Sequence, residues 1–384
     1  MSNIMELIDG VEVEWKTLGK VAEYEQPTKY LVKTTNYRDD FETPVLTAGK
    51  TFILGYTDEK DGIYEASKTP VIIFDDFTTA NKWVGFDFKA KSSAMKMITS
   101  VDEAKVMLKY IYYWLNTLPD EQADGDHKRQ WISNFANKQI PIPPLAIQVE
   151  IVRRLDAFIA HTAELTAELT ARKKQYTYYR DQLLTFEEGQ VEWKALGEVC
   201  EFANGKGHEK DIVEVGRYIV VNSKFVSTEG KVAKYSDKQI CPLFVDDVVI
   251  VMSDLPNGKA LAKTFIVDVD ERYTLNQRIG GISVKNRMTL LPKFLNYFLN
   301  RTPQLTKFDN GADQTNLRKD QILAVQIPIP SLAEQSRIVA ILDKFDALTN
   351  SITEGLPREI ELRKKQYEYY REMLLSFPKS GVEA

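Results

Sequence analysis

The sequence predicts an α+β fold made of two copies of one domain, each copy leading into a long helix, with the two helices pairing antiparallel. Three observations predict it. Ordered sequence blocks occur twice at a slowly drifting offset, a heptad stripe follows each copy, and short apolar runs bounded by turn residues fill the space between.

The repeat sets the organisation. "VEWKTLGKV" (13–21) returns as "VEWKALGEV" (191–199), "KYIYYWLN" (109–116) as "KFLNYFLN" (293–300), "QIPIPPLAIQ" (139–148) as "QIPIPSLAEQ" (326–335), and "RKKQYTYYRDQLLTF" (172–186) as "RKKQYEYYREMLLSF" (363–377). The offset grows from 178 to 191 residues along the copy, as insertions into the loops of two equivalent folds would produce. Between the blocks the copies share little. A common frame therefore carries two different inserts. "FPKSGVEA" at the end of the sequence echoes "FEEGQVEW" and "DGVEVEW", so copy two stops where a third copy would begin, which suggests a cyclic arrangement about a pseudo-two-fold axis.

The expected divisions are a first domain over 1–144, a first helix over 145–188, a second domain over 189–330, and a second helix with tail over 331–384. In the domains, "PVIIFDDF" and "DDVVIVMS" read as strands, and "DEAKVMLKYIYYWLNTL" and "LLPKFLNYFLNR" as amphipathic helices. Pro141, Pro143, Pro328 and Pro330 are expected to stop regular structure and fix an extended exit. Ser331 with Glu334 then reads as a capping box, absent from copy one, where Pro144 and Ile147 stand.

In the first long helix, read from Ala146 to Phe186, Leu155, Phe158, Thr162, Leu165, Leu169, Arg172, Tyr176, Tyr179, Leu183 and Phe186 follow alternating steps of three and four. A seam about 60 Å long needs another helix to bury it. Copy two supplies Leu342, Phe345, Thr349, Ile352, Leu356, Ile360, Arg363, Tyr367, Tyr370, Leu374 and Phe377, with a stutter at "EGLP", where Gly355 and Pro357 are expected to break the helix. "TAELTAEL" (162–169) places Leu165 and Leu169 on the seam, so two units fit it undisturbed, and adding or removing one would move one domain by about 6 Å and rotate it by about 40° beyond a full turn.

Composition bounds the remaining possibilities. The chain has 384 residues, enough for two ordinary domains. Its two cysteines, Cys200 and Cys241, show no metal or disulfide spacing and read as small hydrophobes in a reducing compartment. No signal-like segment and no window of about 18 uncharged apolar residues occurs, so the expectation is a cytoplasmic protein. A net charge of −5 argues only weakly against nucleic acid, because an acidic chain can still hold a basic groove or borrow positive surface from a partner.

The duplicated "VEWKxLGxV" openings, the two "IPIP" exits, the paired "RKKQYxYYRxxLLxF" segments and the "TAEL" units resemble, over essentially the full length, the specificity subunits of type I restriction-modification enzymes, in the branch that carries TAEL repeats. The resemblance implies two target-recognition domains, each reading one half of a bipartite, asymmetric sequence in double-stranded DNA. It implies that the helices set the gap between half-sites and dock two methyltransferase subunits, with restriction-translocase subunits joining them. It also implies a chain without catalytic residues, metal or cofactor of its own: S-adenosylmethionine belongs to the methyltransferase, ATP and magnesium to the restriction partner.

Candidate DNA-reading loops combine glycine, amide, hydroxyl and cationic residues. In copy one they offer Lys50, Thr79, Asn81, Lys82, Lys91, Ser92, His127, Lys128, Arg129 and Gln130. In copy two they offer Lys206, His208, Asn257, Lys259, Asn276, Gln277, Arg278, Gln314, Asn316, Arg318 and Lys319. Arginines suit a guanine edge or a phosphate, and the amides suit an adenine edge. For docking, the candidates are Tyr176, Tyr178, Arg180, Tyr367, Tyr369 and Arg371. Seam tyrosines have a plainer reading as coiled-coil packing, and the off-seam Tyr178 and Tyr369 suit a partner surface.

Two other readings stay open. Asp75 with Asp87 and Lys89 resembles the acid and acid-x-Lys spacing of a metal-dependent nuclease, a pattern that arises by chance in a chain 27% charged. No phosphate-binding loop, S-adenosylmethionine loop or methylation motif accompanies it, and His127, His161 and His208 lack triad or zinc spacing. An independent DNA-binding regulator is the other reading.

Overall fold

The computed structural model describes residues 4–48, 51–119, 129–256, 258–351 and 353–378. They form two compact units, one of residues 1–166 with 359–384 and the other of residues 167–358.

The first unit contains β1 (Glu14–Thr17), α1 (Leu18–Val21), β2 (Ala22–Glu25), β3 (Thr43–Leu46), β4 (Ile53–Thr57), β5 (Val71–Asp75), β6 (Asn81–Val84), β7 (Lys89–Ala90), β8 (Met95–Ser100), α2 (Leu108–Leu115), α3 (Gln130–Ser133), β9 (Gln139–Ile142) and the start of α4 (Leu145–Leu184). The main sheet has the order β2-β8-β5-β6, and a second sheet the order β4-β3-β7. β5 is apolar at four successive positions because both its faces are covered. Ile72 and Phe74 enter the core under α2, while Val71 and Ile73 enter a second core against Leu46, Phe88 and Ala90.

The second unit contains β10 (Glu192–Ala195), α5 (Leu196–Val199), β11 (Cys200–Asn204), β12 (Ile212–Val213), β13 (Tyr218–Val221), α6 (Ser223–Ser227), β14 (Lys234–Ser236), β15 (Val248–Val251), β16 (Ser253–Asp254), β17 (Thr264–Ile266), β18 (Tyr273–Leu275), β19 (Ile279–Val284), α7 (Pro292–Leu299), α8 (Pro303–Thr306), β20 (Thr315–Asn316), α9 (Lys319–Leu323), β21 (Gln326–Ile329), α10 (Leu332–Thr349) and the start of α11 (Gly355–Leu374). Its main sheet, β11-β19-β15-β17, repeats the first, and its second sheet keeps the same parallel pair, β13 with β18 in place of β3 with β7. Val248 and Ile250 face one core, Val249 and Val251 the other. The inserts that share little sequence therefore share a topology, since alternation along one buried strand is satisfied by many apolar residues.

The prolines do not stop regular structure as expected. Pro141 lies inside β9 opposite Trp15, and Pro328 inside β21 opposite Trp193, each in a two-stranded antiparallel ribbon. A missing N–H is tolerated in an edge strand. The amphipathic helices are also shorter than their apolar periodicity suggested: α2 starts at Leu108 because Asp102 accepts the Ala104 N–H at 3.1 Å and holds the preceding residues in a turn.

Both long helices contribute to both units. In the first, Ile151, Val152 and Leu155 from the start of α4 share a core with Leu374, Leu375 and Phe377, and Phe158 stacks on Tyr370 at 5.2 Å. In the second, Ile338 and Leu342 from the start of α10 share a core packed by Leu183, Leu184 and Phe186, and Phe345 contacts Tyr176 and Tyr179. The seam residues of α4 are buried or half-buried except Tyr179, which is exposed. Ser331 Oγ accepts the Glu334 N–H at 3.3 Å, which is half of the capping box expected of copy two; the Glu334 carboxylate is taken by Arg337 at 2.6 and 2.8 Å.

The second long helix is broken, α10 ending at Thr349 and α11 starting at Gly355. Gly355 has φ +73°, and a Cβ there would lie 2.3 Å from the Ala347 carbonyl oxygen. Only glycine fits that corner. Pro357 sits in the first turn of α11, where its absent N–H costs no helical bond. Ile352, placed on the expected seam, lies outside the described residues.

Candidate nucleic-acid interface

One end of each main sheet gathers the loops singled out by composition. In the second unit β11 ends at Asn204 opposite Gly280, and β15 ends at Val251 opposite Ile279, so three loops leave the sheet on the same side. Loop 204–210 lies against loop 274–278 through a Lys206–Asn276 bridge, with Gly205 so close that a Cβ would sit 1.9 Å from the Asn276 carbonyl oxygen. Loop 310–319 joins them by pairing β20 with β16, and Gln314 donates to Ser253 Oγ at 2.8 Å. Met252 ties the two groups, donating to the Arg278 carbonyl at 2.9 Å and accepting from the Leu317 N–H at 2.7 Å.

Lys206, Lys259, Arg278, Arg318 and Lys319 are exposed on this edge. Among the described residues no salt bridge occupies Lys206, Lys259, Arg278 or Arg318, and Lys319 lies 5.8 Å from the centre of the Phe202 ring. Asn316 is exposed, and Gln277 donates to Glu209. The Arg318 N–H donates to Gln321 at 2.9 Å, which opens α9. Asn276 has a buried, unpartnered Oδ1 and, with Glu209, Asn222 and Lys234, lines a cleft of about 310 Å³. His208, a candidate by its chemistry, is not exposed on this edge. It is 1% exposed, its Nδ1 lies 2.8 Å from the Lys206 carbonyl oxygen and its Nε2 lies 2.9 Å from Thr274 Oγ1, so both ring nitrogens are used in joining loops.

The first unit repeats the convergence with other residues. β5 ends at Asp75 opposite Met95, where β8 begins. The Lys91 N–H donates to the Leu46 carbonyl at 2.8 Å, bringing loop 91–94 beside the end of β3, and Lys82 Nζ lies 4.6 Å from the centre of the Phe52 ring. Asp76 accepts the Trp131 N–H through its carboxylate and the Gln130 N–H through its carbonyl, both at 2.8 Å, which docks the Arg129–Gln130 segment on turn 76–80. Asn81 accepts from Asn116 at 3.0 Å, and the Ser92 hydroxyl caps the Ala94 N–H at 3.4 Å. Thr79 is 5% exposed and holds a left-handed backbone, so it offers little side-chain surface for an outside contact. Lys50, His127, Lys128 and Asn257 lie outside the described residues.

A buried ion pair underlies this edge. Lys96 Nζ, 1% exposed, lies 3.6 Å from Asp76 Oδ2 and 4.3 Å from the Tyr24 ring centre, and makes no hydrogen bond.

The nuclease pattern is dispersed into local structure. Asp75 Oδ1 caps the Phe77 N–H at 2.9 Å, Asp87 accepts from the Ser67 N–H and hydroxyl at 2.9 and 2.6 Å, and Lys89 is buried against Glu59 at 3.0 Å. Among the described residues no group of three His, Cys, Asp or Glu side chains is arranged to hold a metal ion. Cys200 is buried and free, its thiol pushed up to about 12 by that burial, and Cys241 is free and half-buried. No described helix is long and apolar enough to cross a membrane.

On the helices, Tyr178 and Tyr369 are 61% and 64% exposed, each set edge-on against its neighbour, Tyr179 or Tyr370. Tyr176 and Tyr367 are half-buried against Phe345 and Tyr113, as their seam positions imply. Arg180 and Arg371 pair with Asp181 at 2.9 Å and Glu372 at 2.6 Å.

Sequence reasoning missed two residues that fix each domain to its helix. Gln148, fully buried, accepts the Met107 N–H at 3.0 Å and donates to the Lys105 and Pro143 carbonyls, both at 2.9 Å. Gln335 does the same with the Leu291 N–H at 2.8 Å and the Thr289 and Pro330 carbonyls at 2.9 Å. The signal was present, since both glutamines end the repeated "QIPIP" blocks.

Comparison with known proteins gives concordant results. The profile of the family described as type I restriction modification DNA specificity domain matches residues 10–172 and 189–362. The specificity subunit of the type I restriction enzyme EcoR124I/EcoR124II from Escherichia coli is 53% identical over 403 aligned residues, covering 99% of this chain and 98% of that protein. The S subunit of a type I restriction-modification system from M. genitalium has a similar fold, with a TM-score of 0.60 at 15% identity over 99% of this chain and 100% of that one. A chain from a study of complex assembly and conformational transition in a type I system gives 0.57 at 17%, over 96% and 98%.

Proposed function

Because the chain belongs to the type I restriction-modification DNA specificity family, we propose that each unit reads one half of a bipartite target in double-stranded DNA with the loop edge of its main sheet. The observation that carries this reading is the convergence, in each unit, of loops rich in glycine, amide, hydroxyl and cationic residues on one end of one sheet. Exposed cations there set register on phosphates, and amide and guanidinium groups reach base edges. Different inserts on one topology give two different half-sites.

The domain divisions at 144, 188 and 330 then have functional meaning. The segments between them are the spacer. Each "TAEL" unit adds about 6 Å and about 40° beyond a full turn, at 1.5 Å and 100° per residue. A chain with one unit more keeps both half-sites and changes their gap. Tyr178 and Tyr369 form the core of the surfaces that take two methyltransferase subunits, to which restriction-translocase subunits add. In this scheme the chain is cytoplasmic and performs no chemistry itself. S-adenosylmethionine is bound by the methyltransferase, ATP and magnesium by the restriction partner.

The test is single-molecule sequencing of genomic methylation in cells with and without this chain and its methyltransferase. A bipartite motif that appears only with the chain is the expected result, and no motif would sink the reading. The purified chain alone should neither consume S-adenosylmethionine nor cut DNA with magnesium.

A further inference from the structure

The turn after the central strand is built on the same disfavoured backbone in both units. Thr79, with φ 63°, donates its N–H to the Asp75 carbonyl at 2.9 Å, and the Asp75 N–H donates to Ala80 at 2.8 Å. Ala262, with φ 57°, donates to the Val251 carbonyl at 2.9 Å, and the Val251 N–H donates to Lys263 at 2.9 Å. Asp75 and Val251 are equivalent positions, opposite Met95 and Ile279 at the start of the neighbouring strand. A left-handed backbone is disfavoured at alanine and more so at a β-branched residue, so its presence at the same corner of two diverged sequences points to what the corner does.

Each turn aims one large apolar side chain at solvent. Phe77 is 43% exposed and Leu255 is 69% exposed. Neither is on a slack loop. Asp75 Oδ1 accepts the N–H groups of Phe77 and Thr78 at 2.9 and 3.3 Å; Asp254 accepts those of Leu255, Ala260 and Leu261 at 2.9, 2.7 and 3.1 Å. Both side chains share the loop edge with cations, Lys82 and Lys91 in one unit, Lys259 and Arg278 in the other. An apolar group fixed in water among cations suits a polyanion with an apolar interior, and duplex DNA offers that at its base steps and thymine methyls.

Resting on the functional reading above, we propose that Phe77 and Leu255 are apolar base contacts, one in each half-site, held ready by the Thr79 and Ala262 corners. They carry sequence selectivity and little of the phosphate attraction.

The experiment uses the complex with its methyltransferase, on a duplex bearing the motif found by methylation sequencing and on a scrambled duplex. Phe77→Ser and Leu255→Ser should each weaken binding to the motif about tenfold. They should leave scrambled-duplex affinity and the salt slope unchanged, because no phosphate contact is lost. Phe77→Leu should restore most of the loss. With wild-type protein, a 2-aminopurine fluorescence rise that Phe77→Ser abolishes assigns insertion at a base step. A penalty for thymine-to-uracil exchange that the variant abolishes assigns a methyl contact. An unchanged ratio of motif to scrambled affinity, or neither base response, overturns the inference while leaving the functional reading intact. A wild-type complex that selects no bipartite motif overturns that reading and this inference with it.

Discussion

Tyr297 on α7 donates its hydroxyl to Asp343 on α10 at 2.7 Å, and Tyr113 on α2 makes the equivalent bond to Asp156 on α4. Burial first, and then the bond to the carboxylate, hold both hydroxyls well above the ordinary tyrosine range. A tyrosine that stays protonated when folded but ionises near 10 when unfolded leaves the unfolded chain with fewer protons above that pH. Its contribution is therefore complete below about pH 10 and falls as pH rises further. Tyr297→Phe should cost about 2 kcal/mol at pH 8 and flatten the decline above pH 10. Urea unfolding at pH 8, 10 and 11 checks both.

Gln335 satisfies three backbone groups from a position with no access to water. Gln335→Ala leaves all three unpaired and should cost about 3 kcal/mol, and Gln148→Ala the same in the other unit. Two-phase denaturant unfolding, with only the mutated unit shifted to lower midpoint, is the expected result.

The Lys96–Asp76 pair supports the loop edge of the first unit. Removing only the carboxylate leaves a buried cation, so Asp76→Ala should cost about 4 kcal/mol. Asp76→Ala with Lys96→Met should recover part of that loss, the Trp131 N–H remaining unpaired. A double-mutant cycle in thermal unfolding measures the coupling. Additive losses would show that the pair is energetically independent.

Tyr178 and Tyr369 make little use of their rings within the chain. Alanine at both should leave the melting temperature within about 1 °C and weaken assembly with the methyltransferase at least tenfold, since large exposed aromatics dominate interface energies. Analytical ultracentrifugation of the mixed subunits reads the second effect, and calorimetry the first.

Much of the fold was legible because repeats and heptads are local patterns. Leu155, Leu342, Leu356, Ile360 and Leu374 are buried where the three-four spacing put them, while Tyr179 is exposed, and Gly355 marks the break. The site was legible by loop but not by side chain. Composition identifies a turn through Gly, Thr and Asn, yet says nothing about which way a side chain points. Thr79 and His208 carry the right chemistry and are buried, His208 joining two loops through both ring nitrogens. Phe77 and Leu255 stood in the same loops, passed over because their chemistry is apolar. Pro141 and Pro328 read as stops because their edge-strand partners, Trp15 and Trp193, lie more than 120 residues away.

By itself the sequence determined the duplication, the heptad helices, the helix break and the family, since each depends on residues close in the chain or on blocks compared with one another. Tertiary structure alone decided which loops meet at one end of a sheet, which polar side chains are spent inside, and that diverged inserts share a topology. Those outcomes depend on strand register and burial between residues far apart in sequence. The pairing of Val251 with Ile279 gathers the loops of one candidate reading edge within its unit, and that of Asp75 with Met95 does so within the other.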